Sequence, residues 1–400
     1  MPDALVTAQQ TSGRRWVVLA IGVLAQTSAC AFVYGVPFLV PDLRDALGLS
    51  LAAVGTYVAA PTTGLLLTLI AWGAAADRYG ERKVMASGLL LAAVAIGALA
   101  LLPHPGYGVA LALLAAGGAA AASVFAANGR MIMGWFPKTE RGLAMGIRQT
   151  AQPLGVALAG LVLPSLSGRT GAFGAFVVPA ALCLLSALLV IGFAPNPVRP
   201  PRTAGEETGS PYRTPVLWRL HAASAMLVVP QFAITAFATE YLVREQHWST
   251  TAAGAFVAAI QIAGAVSRIG SGVWSDRVGS RLRPMRQLAV GATLVLLVFA
   301  LGAAFAPWLA IVALAVGGIV TVADNGLAFT AVAEIAGSAW AGRALGVQNT
   351  GQNIASSLTP IALGAIVGTA GYAIGFVVAA AAPLAAIALT PVRYEPDAGW

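Results

Sequence analysis

The sequence predicts an all-α polytopic membrane protein, with twelve transmembrane helices in two six-helix bundles related by a pseudo-twofold axis. Three observations predict it. Hydrophobic residues make up 58% of the chain and charged residues 10%, against roughly 45–50% and about 25% in soluble domains, so there is too little charge to cover a water-facing surface. Apolar stretches of about 20 residues follow one another from Trp16 to Val392, each long enough to cross a hydrocarbon core at about 1.5 Å per residue. The chain also repeats itself. GAAADRYGERK, from Gly73 to Lys83, returns as GVWSDRVGSR, from Gly272 to Arg281, and GLAMGIRQTAQ, from Gly142 to Gln152, returns 200 residues later as GRALGVQNTGQ, from Gly342 to Gln352. Parallel halves in so apolar a chain imply a polar cavity between two helical bundles.

Charged and Pro/Gly clusters divide the first half into spans at 16–40, 51–76, 84–102, 107–136, 141–165 and 172–194. The second half gives 215–243, 249–275, 285–305, 308–336, 341–367 and 372–392. The domains are therefore 1–194, a linker at 195–214 that is Pro-rich, charged and without apolar periodicity, and 215–400. Glycine, 45 of 400 residues, and runs such as Ala115 to Ala122 let helices approach closely where no hydrophobic effect draws them together. Arg14 and Arg15 precede the first span and no small-residue cleavage site follows it, so it reads as an uncleaved helix.

Sidedness of charge sets the orientation. With the N-terminus inside, 17 of the 23 Lys and Arg residues fall on the inner side, and only Arg44, Arg169 and Arg244 fall outside. Both termini are thus expected in the cytoplasm, in the cell inner membrane. Trp16, Trp72, Trp135, Trp218, Trp248, Trp274, Trp308 and Trp340 sit at span ends, where the indole prefers the headgroup layer. The net charge of +8 is spread over many short loops and gives no nucleic-acid patch. Cys30 and Cys183 lie in apolar spans and the three histidines lack metal-ligand spacing, so no disulfide framework, metal site or cofactor is expected.

With Gly73, Asp77, Arg78, Gly80, Arg82 and Lys83 after the second span, and Gly272, Asp276, Arg277, Gly279 and Arg281 after the eighth, the chain resembles the major facilitator superfamily over nearly its whole length. Glu81 departs from the pattern, which often has a basic residue there. The motif has a physical logic of its own. A small residue at Gly73 admits a neighbouring helix end, and Asp77 suits the exposed amides of a helix N-terminus. The resemblance implies that this helix is the eleventh, near Gly342, and that the contact is a cytoplasmic gate made when the carrier faces outward. It also implies a secondary transporter working by alternating access.

Polar groups inside the spans are the candidate site. Arg148 lies seven residues into the fifth span, where a guanidinium costs at least about 2.5 kcal/mol unless it snorkels or faces water or a partner. Gln152 lies one turn further on, and the duplicate offers Gln348, Asn349, Gln352 and Asn353, with Ser356 and Ser357 widening the arc. Arg148 reads either as the ligand of a small anion or as a structural charge that snorkels or pairs with Asp324. A cationic half facing a neutral one suits an anion. Asp324 reads as a proton-coupling carboxylate or as a fixed counter-ion, and Arg268 as a structural tie. Gln26, Cys30 and Tyr34 on the first span, and Gln231, Thr235 and Thr239 on the seventh, recur every fourth residue and either line the cavity or bond neighbouring helices. Pro153, Pro230 and Pro360 free carbonyls that serve as hinges or ligands.

Arg130 is similar to a basic position found on the fourth helix of many superfamily members, and WFPKTERG resembles a turn of organic-anion and nitrate-type porters. The expectation is a monomeric carrier of a small anionic solute, with protons and the lipid bilayer as its other partners. The alternative is a proton-coupled multidrug or metabolite efflux antiporter, whose Gly-Pro signature on the fifth span is incomplete here: Gln152 precedes Pro153. No Ser/His/Asp set or phosphate loop supports an enzyme, and the short tails speak against a sensor.

Overall fold

The computed structural model describes residues 12–39, 42, 43, 48, 51–102, 105–198, 210–248, 250–337 and 339–395; the linker residues 199–209, and Arg44, lie outside them. In chain order the helices are α1 (Arg14–Val33), α2 (Leu51–Tyr79), α3 (Glu81–Leu101), α4 (Tyr107–Trp135), α5 in two pieces (Arg141–Gln149 and Ala151–Thr170) and α6 (Val177–Phe193). There follow α7 (Pro215–Arg244), α8 (Thr250–Val278), α9 (Leu282–Phe305) and α10 in two pieces (Pro307–Val320 and Asn325–Ala336). The last helical run, Ala341–Leu389, turns sharply at Gly371, whose φ of 83° lies outside the helical region. That glycine divides it into α11 and α12, so twelve apolar spans follow one another among the described residues, which are otherwise turns and loops.

By packing, the chain forms two compact units. One comprises Met1–Pro137, Thr150–Thr208 and Ser338–Asn349; the other comprises Lys138–Gln149, Gly209–Gly337 and Thr350–Trp400. In the first, α2 and α3 both pack on α4, while α1 packs on the second piece of α5 and on α6. Small residues make this possible. A Cβ on Gly118 would come within 2.0 Å of the Pro61 carbonyl oxygen, so α2 and α4 meet backbone to backbone. In the second unit α9 packs on the first piece of α10, and α8 packs on the first piece of α5. An aromatic core joins α7, α9 and α12 there: the rings of Tyr241 and Phe299 lie 4.9 Å apart, and those of Phe299 and Phe376 lie 4.0 Å apart.

Two spans that the apolar pattern predicts as continuous are broken, and each break has a local cause. Pro153 has no amide hydrogen, so the Gln149 carbonyl loses its helical donor and the hydrogen-bond ladder of α5 is interrupted at Thr150, whose φ of −71° and ψ of −16° stay helical. In α10 the residues Thr321–Asp324 form a turn without proline. There the Thr321 hydroxyl bonds back to the Gly317 carbonyl at 2.8 Å. Two serines of α8, one turn apart, take up carbonyls around the break: Ser267 donates to Ile319 O at 2.8 Å and Ser271 to Ala323 O at 2.5 Å. Side chains of a neighbouring helix thus replace the missing donors.

Candidate functional site

The duplicated loops are built alike. Gly80 and Gly279 each turn the chain between two helices at φ of 86° and 66°, a backbone region that favours glycine. In the first loop Asp77 accepts the Gly342 amide at 2.9 Å and the Arg343 amide at 3.1 Å, at the start of α11. In the second, Asp276 accepts the Gly142 and Leu143 amides, both at 2.9 Å, at the start of α5. Each carboxylate therefore takes amides that have no partner inside their own helix, at its positive end. Facing glycines admit the contact: a Cβ on Gly73 would lie 2.3 Å from Gly342 O, and one on Gly272 would lie 2.1 Å from Gly142 O.

The counter-ions differ. Arg130 of α4 reaches Asp77 at 3.2 Å and Glu81 at 3.3 Å, and donates to the Ala76 carbonyl at 2.7 Å. Arg343 adds a longer contact to Asp77 at 3.9 Å. Asp276 instead pairs with Arg281, which also reaches Glu334 at 3.5 Å and Lys138 O at 2.6 Å. Glu334 receives Arg141 as well, at 3.3 Å. Arg82, the counterpart of Arg281, turns away to the Ile191 carbonyl. Arg78 and Arg277 are exposed.

A polar cluster occupies the second unit around the two breaks. Arg148 is 1% exposed; its guanidinium lies 5.5 Å from the centre of the Phe329 ring and donates to Gln149 Oε1 at 3.0 Å. Arg268, also buried, donates to the Gln149 carbonyl at 2.6 Å, the oxygen that Pro153 leaves without a helical donor. Asp324 is buried beside it, with Arg268 as its electrostatic partner, and its Oδ2 accepts no hydrogen bond among the described residues. The neighbouring Asn325 donates to Gln231 Oε1 at 3.1 Å, and Gln352 donates to the Ser224 hydroxyl at 2.7 Å. Asn353 is half-buried, whereas Thr235 is exposed and its hydroxyl is spent on the Gln231 carbonyl at 2.9 Å.

The first unit holds a matching tie. Asn128 of α4 donates to Gln26 Oε1 at 3.2 Å and to Gly22 O at 2.8 Å. Asn349 donates to the Phe125 carbonyl at 3.2 Å, and Gln348 is buried; Gln152 and Tyr34 are half-buried. The structure thus gathers Arg148, Arg268 and Asp324 in one unit, with the Gln231–Asn325 tie beside Asp324, and Gln26, Gln348 and Asn349 in the other. Sequence reasoning passed over Asn128, Ser224 and Glu334. The Asn-Gly pair that recurs at 128–129 and 325–326 is the signal that points to Asn128.

Twelve apolar helices among the described residues, with buried charged and amide side chains, define a multi-pass membrane protein. The model of the Major Facilitator Superfamily matches residues 19–360, and the chain belongs to that family. An uncharacterized MFS-type transporter of Mycobacterium tuberculosis, Rv2994, is 40% identical over 388 residues, covering 96% of this chain and 86% of that one. Probable anion transporter 3, chloroplastic, of Oryza sativa subsp. japonica is 30% identical over 177 residues, 44% of this chain and 34% of that protein. The solved structure of the proton:xylose symporter XylE bound to 6-bromo-6-deoxy-D-glucose has the same fold, with a TM-score of 0.74 at 13% identity over 96% of both chains.

Proposed function

We propose that the protein is a monomeric secondary carrier of a small anionic solute, working by alternating access of two six-helix halves, 1–194 and 215–400, joined by the linker 195–214. It would sit in the cell inner membrane with both termini cytoplasmic, as the distribution of Lys and Arg implies. The observation that carries the reading is Arg148, a cation 1% exposed in a membrane-spanning helix. A guanidinium is rare at that place unless it serves a function, and an anionic solute that meets it gives the buried charge a use. The likeness to a probable plant anion transporter supports the same charge on the solute. Gln152, Gln348, Asn349, Gln352, Asn353, Gln26, Tyr34, Gln231 and Thr235 are the proposed neutral contacts.

Asp324 is the proposed proton-coupling group, with Arg268 facing it. The Asp77 and Asp276 contacts are the proposed gates. The test is uptake by the purified protein in liposomes, inside neutral and outside acidic, with a labelled panel of small carboxylates, nitrate and neutral sugars. Anions should enter, R148Q should abolish entry, and D324N should remove the dependence on the proton gradient. Uptake of sugars alone, or undiminished anion uptake by R148Q, would count against the reading.

A further inference from the structure

Helices α3 and α9 start directly after the two motif loops, and the first amides of a helix have no donor–acceptor partner within it. In the first half the Arg82 amide donates to Asn196 Oδ1 at 2.8 Å. In the second, the Arg281 amide donates to Glu395 Oε1, the Leu282 amide donates to the same oxygen at 3.1 Å, and the Ser280 hydroxyl donates to Oε2. Arg82 to Arg281 and Asn196 to Glu395 are the same 199-residue step, and each acceptor is followed in the sequence by proline, Pro197 and Pro396. The contact is therefore duplicated along with the motif. Each acceptor comes from the segment that leaves the last helix of its half. That segment is docked on the first half as well, since Trp135 donates its indole N–H to the Pro195 carbonyl at 3.1 Å.

We propose that Asn196 and Glu395 are positioning residues: each straps the tail of its half to the loop that presents the gating aspartate, and the strap reaches the gate only in the second half. The connections differ after the first bond. Glu395 fixes the backbone of Arg281, whose guanidinium lies among Ser275 Oγ at 2.5 Å, Asp276, the Lys138 carbonyl and Glu334. Asp276 in turn holds the Gly142 and Leu143 amides of α5. The chain of contacts from tail to α5 is unbroken. In the first half the strapped residue does not itself reach the gate: Arg82 turns to Ile191 O, and the charge on Asp77 is met by Arg130 of α4, which also takes Glu81 beside Arg82. The strap role does not depend on the solute, so it stands or falls apart from the anion reading.

Amide hydrogen exchange on the full-length protein in detergent tests it. E395A should raise exchange about tenfold in peptides covering 281–283 and, one step further, 142–143. E395Q, which keeps the accepting oxygen at the same reach, should restore both. N196A should raise exchange at 82–84 and leave 342–343 unchanged. Should E395A fold poorly, E395D shortens the reach by one methylene and should give an intermediate effect at the same two places. Unchanged exchange at 142–143 in E395A and E395D, failure of E395Q to rescue, or spread of the N196A effect to 342–343 would overturn the proposal.

Discussion

The two copies of the loop after α2 and α8 make one contact with two different counter-ions. Both place an aspartate on the first amides of a helix, through a pair of facing glycines. In the first copy the cation comes from α4, as Arg130. The duplicated stretch of α10 reads Asn325-Gly326-Leu327 where α4 reads Asn128-Gly129-Arg130, so the cation is missing there, and Arg281 within the loop itself supplies it. What the duplication retains is geometry: carboxylate, amides and glycine turn. The address of the balancing charge is free to move, because a buried carboxylate needs a partner and does not specify from which helix.

That comparison makes predictions of falling size. The largest concerns Arg130, which serves two carboxylates. R130A should destabilise the protein by about 3–5 kcal/mol, since Asp77 and Glu81 stay buried. E81Q in the same chain should recover part of the loss. Thermal unfolding in detergent measures both, and an R130A protein as stable as the parent would mean that Arg343 alone balances the first copy.

Next in size is the Arg268 contact. R268M should cost about 1–3 kcal/mol, because the Gln149 carbonyl loses the donor that stands in for Pro153. P153A restores an amide to that carbonyl, so the double variant P153A/R268M should lose less than R268M does. If D324N rescues R268M and P153A does not, the arginine serves the carboxylate and not the break in α5.

The twin amide ties rank third. N128A and N325A should each cost about 0.6 kcal/mol, with about 1.7 as the upper bound for bonds between membrane helices, and the two losses should add, since the ties lie in separate units. The smallest effect belongs to Arg78 and Arg277, whose side chains are exposed. R78Q and R277Q should shift stability by less than about 0.5 kcal/mol.

The spans and the duplication were readable because lipid imposes one solution on the backbone: a helix with every polar group satisfied, hence runs of about 20 apolar residues. The break in α5 was also within reach, since Pro153 announces it. The break in α10 carries no such mark. It depends on Ser267 and Ser271 of α8 waiting opposite Ile319 and Ala323, a pairing that only the folded chain reveals. Glu395 shows the same limit from the other side. Nothing near it in the sequence says that its carboxylate belongs to a loop more than a hundred residues back, although the 199-residue step from Asn196 records it once the first contact is known.

Arg148 is the residue on which the functional account rests, and ligand-induced thermal stabilisation of purified protein tests it most directly. Small carboxylates or nitrate should raise the unfolding temperature of the parent chain in a concentration-dependent way, R148Q should lose that response while keeping its unliganded unfolding profile cooperative, and neutral sugars should do nothing to either. Equal stabilisation of the parent and R148Q by the same anion would contradict it.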